Sequence, residues 1–386
     1  RICVRYECVP MRFIKHVYRI HTYAQDGRLF EGKTPVSAFL NSSYDGSFIA
    51  GLMELRYIQS LPVERIINYF ESHGFTLKKP TAHKLMEKAS SLFENLYKCI
   101  RQTALSDPYK AADETYYKIL VPEKNSKGKG FRKGYLWVVV GINTRMIYLL
   151  YDDGSRSERV ILNELGSCKG IIQSDGYSPY RKLESDAYPN ITRIPCLQHI
   201  KRKFIDCGEK DPDAKRIVEL INALYQNEHK HKVGVEGWTV EQNLMHRKKY
   251  APDILGEIKD VLDEIEERGD LLPKSELQEA ITYLRNEWNA VVDIFNYGDT
   301  YLDNNIVERM NRYISLSRKN SLFFGSHKGA ERGAILYTIA LTCRMHKVNL
   351  FEYLTDVINR TAEWQPNTPI EKYRELLPDR WEKAND

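Results

Sequence analysis

Three short segments place acidic side chains where solvation alone explains them poorly. Asp113-Glu114-Thr115 opens a run rich in Tyr, Ile, Leu and Val that reads as a strand. A carboxylate there is costly to bury unless it is paired or binds a metal, although a solvated strand-edge Asp fits the same letters. Ile171-Ile172-Gln173-Ser174-Asp175-Gly176-Tyr177 runs a buried-looking strand directly into an Asp. Open α/β sheets bind ligands outside the carboxyl ends of their strands, and an Asp-Gly turn is the competing reading. In 301–309, YLDNNIVER, Asp303 or Asn304 can cap a helix whose second turn carries Glu308. A solvated Glu on a capped helix is the plainer account of that segment alone.

Taken together, three acids far apart in the chain suit one chemistry. Mg²⁺ prefers oxygen ligands, keeps several waters and uses few carboxylates plus substrate phosphate. Two such ions serve in-line displacement at phosphorus. Basic and aromatic residues stand next to the third acid: Arg309, Arg312, Arg318 and Lys319, then Phe323 and Phe324. That mixture fits a phosphodiester backbone better than a small acidic metabolite. Lys201, Arg202 and Lys203 offer a second phosphate-contacting edge or a solvated helix face. Lys124, Lys127, Lys129, Arg132 and Lys133 crowd one hairpin tip, read as tracking DNA rather than as a solvated loop. Cys196 and His199 have ligand spacing but make half a zinc site. They are expected to be structural, with Cys196 packed at a strand end and His199 hydrogen-bonded on the next helix. His229-Lys230-His231-Lys232 reads as solvated.

The elements that must position these residues follow from periodicity. Residues 1–41 read as short strands, for example 13–23. Phe48, Leu52, Leu55 and Ile58 mark one face of a helix, Pro62 restarts a second that ends at His73-Gly74, and 84–100 is a third. Helix-turn-helix and plain three-helix bundle both remain open. Strands at 116–121, 135–141 and 146–151 form an antiparallel meander. A helix at 157–166, a strand at 170–174, a helix at 177–184 and a strand at 191–195 complete a β-β-β-α-β-α-β order. From 213 to 295 the chain is helical and charged, with Pro252 and Pro273 as breaks; helices at 304–315 and 329–345 follow.

Length and composition bound the reading. A chain of 386 residues exceeds one ordinary core. A hydrophobic share of 42% excludes wholesale disorder. No run is apolar enough for a membrane span. The formal charge of +5 permits a polyanionic partner without demanding one. Seven scattered cysteines suit a reducing, cytoplasmic setting. The chain starts at Arg1 rather than Met, so an upstream segment is expected to be missing.

Five segments in order, ADET (112–115), QSDGYSPY (173–180), CLQHIKRKF (196–204), DNNIVER (303–309) and RKNSLFFGS (318–326), resemble the transposases of the insertion sequence 66 family. LPVERIINYFESHGFTL (61–77) and LPDRW (377–381) extend the resemblance from about residue 45 to the C-terminus. It implies a DDE-class enzyme with an α/β, ribonuclease-H-like mixed-sheet core. In that layout 1–44 is a β-rich remnant, 45–106 a helical DNA-binding domain, and 107–208 and 299–350 the core. A helical insertion occupies 209–298, before the last acidic helix, and 351–386 is a tail. Carried over by motif, Asp113, Asp175 and Glu308 are the catalytic and metal-holding acids, with Mg²⁺ or Mn²⁺ as the ion. The implied partner is DNA, as element ends and target, with a homodimer or higher oligomer at synapsis and accessory element-encoded proteins. The family's cysteine-rich zinc segment is represented here by Cys3 and Cys8 alone, so a complete structural zinc site is not expected. The alternatives are a metal-dependent nuclease or resolvase on the same core, and a catalytically silent DNA-binding derivative.

Overall fold

Asp26 and Gly27, at φ 52° and 72°, form a two-residue turn whose twist matches that of paired strands. They join β1 (Thr22–Gln25) to β2 (Arg28–Glu31), a hairpin exposed along its length. The computed structural model describes residues 4–8, 10–32, 37–39, 42–123, 128, 130–208, 211–230, 237–365 and 367–383. Cys3, Lys124, Lys127, Lys129, His231 and Lys232, and the side chains of His229 and Lys230, lie outside the described residues. The strand expected over 13–23 begins only at Thr22. Phe13 instead sets its ring 4.9 Å from Phe70 and 4.6 Å from Phe75, because an aromatic cluster buries it and an unpaired edge could not.

Asp45 caps α1 (Gly46–Met53) by accepting from the Phe48 amide, and the helix widens into a π-turn at Glu54–Ile58. After α2 (Val63–Ser72), Gly74 at φ 81° lets the chain turn, as expected. The single helix expected at 84–100 starts earlier and divides into α3 (Lys79–Leu92) and α4 (Glu94–Ser106). The break falls at Phe93, which is fully buried. These helices share one hydrophobic core with the sheet that follows. Tyr97 of α4 donates to the Leu149 carbonyl at 3.0 Å, and Arg101 pairs with Glu164 at 2.6 Å.

The expected order is found: β3 (Tyr109–Leu120), β4 (Phe131–Gly141), β5 (Ile147–Leu150), α5 (Glu158–Leu165), β6 (Gly170–Ser174), α6 (Ser178–Arg181) and β7 (Ile191–Pro195). β3, β4 and β5 are an antiparallel meander, while β6 and β7 run parallel to β3, giving the spatial order β5-β4-β3-β6-β7. Val138, Val139, Val140, Ile147, Leu149, Ile172 and Ile194 are fully buried, as strands covered on both faces require. Among the described residues no helix is long and apolar enough to cross a membrane.

After α7 (Leu197–Asp206) come three long helices, α8 (Pro212–Lys230), α9 (Val240–Glu267) and α10 (Glu276–Ile294). Pro252 does not break α9. Ala251, Leu255, Ile258, Val261 and Leu262 bury one continuous face across it, and that burial outweighs the lost backbone hydrogen bond. Pro273 does lie in a connection. The chain then returns through α11 (Asn305–Ser321) and β8 (Phe323–Phe324), which adds to β3 beside Lys118 and Ile119. The largely buried α12 (His327–Met345) covers the meander. Its Thr338 accepts from the Leu149 amide and Thr342 donates to the Ile147 carbonyl, both at 2.9 Å. α13 (Leu350–Ala362) and α14 (Ile370–Glu375) pack back on α1 and α4.

Arg247 fastens this return. Its guanidinium, 1% exposed, bonds Glu228 at 2.7 and 2.9 Å, the Ile294, Tyr297 and Thr300 carbonyls, and the Thr300 hydroxyl. Arg247→Met strands Glu228 and several carbonyls in the interior. The expected loss is about 3 kcal/mol, the lower end for a broken buried pair because Glu228 keeps some solvent. Urea unfolding of the variant against wild type measures it.

Candidate functional site

Strand register decides where the first two acids meet. β3 pairs with β6 through Tyr109–Ile171, Lys110–Ile172 and Ala111–Gln173, and there the pairing stops. Asp113 and Asp175 each lie two residues past the last pair, Asp113 within β3 and Asp175 just beyond the carboxyl end of β6. Asp113 is therefore the fifth residue of a long strand and not its first, as the sequence had suggested. β4 pairs β3 from Lys110 onward and β6 adds Tyr109, which carries the strand back before Asp113.

Polar bonds fix the third acid's helix to the same end. Gln173, fully buried, donates to the Tyr301 carbonyl at 2.8 Å and accepts from Tyr109 Oη at 2.6 Å, which in turn accepts from the Tyr301 amide. The Leu197 amide bonds the Leu302 carbonyl, the Asn304 amide bonds Cys196 Sγ at 3.2 Å, and Asn304 Nδ2 donates to the Ala112 carbonyl at 3.0 Å. The carboxyl ends of β6 and β7 and the first part of β3 thus hold residues 301–304, and α11 starts from them. Glu308 and Asn311 stand one turn apart on one face of that helix. Asn311 Nδ2 donates to Asp113 Oδ2 at 2.7 Å.

The electrostatics show strain between like charges. Burial, then the neighbouring charges of Glu114 and Asp175, push Asp113 up to about 8. The Glu114 amide, 2.8 Å from Oδ1, and Asn311 pull the other way. Glu114 is raised by burial and by Asp175, and is steadied by Arg156 at 2.9 Å. Asp175 Oδ1 accepts from the Tyr177 amide at 3.1 Å. Glu308 Oε1 is 3.8 Å from His199 Nε2, and Oε2 is 3.9 Å from Arg202. The Glu308 Oε1 and His199 Nδ1 atoms are buried without hydrogen-bond partners. His199 was expected to be hydrogen-bonded, but its Nδ1 has no partner and its Nε2 stands 3.8 Å from Glu308, whereas Cys196 is packed at a strand end as expected. An open pocket of about 350 Å³ is lined by Asp175, Tyr177, His199, Arg202, Lys203 and Tyr283.

Among the described residues, one trio of His, Cys, Asp or Glu has ligand atoms all within 4.8 Å of one another: Cys196, His199 and Glu308. Asp113 and Asp175 stand outside it. Of the basic residues, Arg202, Arg309, Arg312 and Lys319 are exposed. Lys201 is half-buried, its Nζ 5.9 Å from the Tyr225 ring. Arg318 is committed to the fold, donating to the Tyr116 carbonyl at 2.6 Å and lying 4.0 Å over the Tyr116 ring. Arg132 binds Asp153 and His327.

Sequence reasoning missed Asn304, Asn311, Arg156 and Tyr283. The Asn residues sat in view, within or just beyond DNNIVER, at helical spacing from Glu308. Tyr283, far away on α10, had no signal: its hydroxyl accepts from the Gly176 amide at 2.8 Å. A side chain at Gly176 would place Cβ 2.5 Å from that hydroxyl, which is why Gly follows Asp175.

A family model described as "Transposase IS66 family" matches residues 41–332. Three uncharacterized proteins of Sinorhizobium fredii are similar along most of the chain. Protein y4jD is 26% identical over 86% of this chain and 65% of its own length. Protein y4hP is 24% identical over 98% and 70%; y4qI is 26% identical over 95% and 69%. The chain spans about two thirds of the length of these relatives.

Two outcomes follow from the site. An acid with a raised folded-state pKa binds its proton more tightly when folded, so its contribution to stability falls as pH rises toward about 8. Asp113→Asn should therefore melt above wild type at pH 8, and the gap should close toward pH 4. Tyr283→Phe removes one neutral hydrogen bond and should lower stability by about 1 kcal/mol. Hydrogen exchange at the Gly176 amide should rise in that variant.

Proposed function

The chain belongs to the IS66 transposase family, and on that footing we propose that it is a DNA transposase of the DDE type with a ribonuclease-H-like core. It hydrolyses phosphodiester bonds at element ends and joins the freed 3′-hydroxyl to target DNA. One observation carries this reading above others. Asp113 and Asp175 each lie two residues past the last β3–β6 pair, and Asp113 is raised by burial first and then by Glu114 and Asp175. A buried carboxylate with acidic neighbours fits a hard divalent cation, because a cation there offsets both the desolvation and the repulsion that keep a proton bound.

Asp113, Asp175 and Glu308 would hold Mg²⁺, with Mn²⁺ as a substitute. When bound, the metal supplies positive charge to the attacking and leaving oxygens of the displacement. The chain's own part is placement. Asn311 orients Asp113, the Tyr177 amide and the Gly176–Tyr283 bond set the Asp175 loop, and residues 301–304 carry Glu308 to the same end. Arg202, Arg309, Arg312 and Lys319, exposed on α7 and α11, are suited to phosphate oxygens. Arg318 acts instead as a strut between α11 and β3. The action is on chromosomal or plasmid DNA in the cytoplasm, and two ends brought together require two or more copies.

Asp175→Asn should leave melting temperature and DNA binding near wild type while abolishing Mg²⁺-dependent nicking of end-containing DNA. Nicking that survives in this variant sinks the assignment. Joining of pre-cleaved ends by wild type separates a transposase from a nuclease on the same core.

A further inference from the structure

The thiol, imidazole and carboxylate of Cys196, His199 and Glu308 are drawn together by two different elements. Cys196 is the N-cap of α7, His199 lies one turn on, and Glu308 arrives from α11. Their ligand atoms lie within 4.8 Å of one another. Around a tetrahedral zinc, ligand atoms stand about 3.3–3.8 Å apart, given bond lengths of about 2.0–2.3 Å. The His199–Glu308 separation of 3.8 Å is already in that range. Two of the buried polar atoms here, His199 Nδ1 and Glu308 Oε1, have no hydrogen-bond partner, and such atoms are rarely left without one. Cys196 Sγ already accepts the Asn304 amide, the kind of outer bond that steadies a thiolate ligand. Arg202, the nearby cation, is 54% exposed and free to swing into solvent.

We propose that Cys196, His199 and Glu308 bind one divalent ion of the zinc class, leaving the fourth position open to the adjoining pocket. Sulfur, nitrogen and one oxygen select such an ion over Mg²⁺. The site is distinct in kind from the Asp113–Asp175 pair but shares Glu308 with the proposed acid trio. Zinc bound here withdraws Glu308 from that trio; this consequence rests on the proposed function, whereas the site itself does not.

Co²⁺ titration of the full chain tests the site without any activity assay. One equivalent should bind with a thiolate-to-cobalt charge-transfer band. Cys196→Ser should remove the band, and His199→Gln and Glu308→Gln should each weaken binding at least about tenfold. Cys8→Ser should leave both band and affinity unchanged, and Asp113→Asn should leave the band unchanged. Absence of the band in wild type, or its persistence in Cys196→Ser, overturns the proposal. Should Cys196→Ser fail to fold, the partly exposed His199→Gln decides alone: unchanged Co²⁺ affinity in that variant overturns it equally.

Discussion

The parallel pairing of β3 with β6 spans three residue pairs and then ends, and the site depends on that ending. Asp113 is paired on its β4 side, opposite Val138, and has no β6 partner, so the side toward Asp175 carries no ladder pairing. The buried Gln173 amide turns from the ladder to the incoming chain at Tyr301.

Much of this frame was legible because it rests on local pattern. β6 and β7 are short apolar runs bounded by Gly, Pro and Asp, and their ends fell where periodicity placed them. The helices expected at 304–315 and 329–345 also fell close to α11 and α12, although the Asn304 side chain bonds the Ala112 carbonyl rather than capping α11. What escaped was decided by tertiary contact. The start of β3 depends on pairing with β4 and β6, both far along the chain. Pro252 is a breaker by local rule, yet the buried face of α9 runs through it. The segment before β1 alternates like a strand but finds no partner, so its Phe13 serves a helical cluster.

The acids of the candidate site drew attention in the sequence, and the residues that surround them did not. Asp113, Asp175 and Glu308 stood out because charge at the end of an apolar strand, or behind a cap, is a local anomaly. Asn311 and Tyr283 carry no anomaly; an Asn on a helix and a Tyr in a long amphipathic helix are ordinary residues until the fold brings them to Asp113 and Gly176. The basic clusters read as one class in sequence, but their roles differ by neighbour. Arg318 is a buttress stacked on Tyr116, whereas Arg309 and Lys319 on the same helix project freely.

The helices α8–α10 separate the two halves of the sheet's polar seam, and this sets an order of events during synthesis. Gln173, Tyr109, the Ala112 carbonyl and Cys196 leave the ribosome well before residues 301–304, which satisfy them. Until three more helices have been made, the nascent sheet carries buried polar groups with no mates. That long-range closure is slow by the usual scaling of folding rate with sequence separation. The centre of the molecule is therefore sealed late, and a chain interrupted within α8–α10 ends with Asp113 and Asp175 made and Glu308 absent.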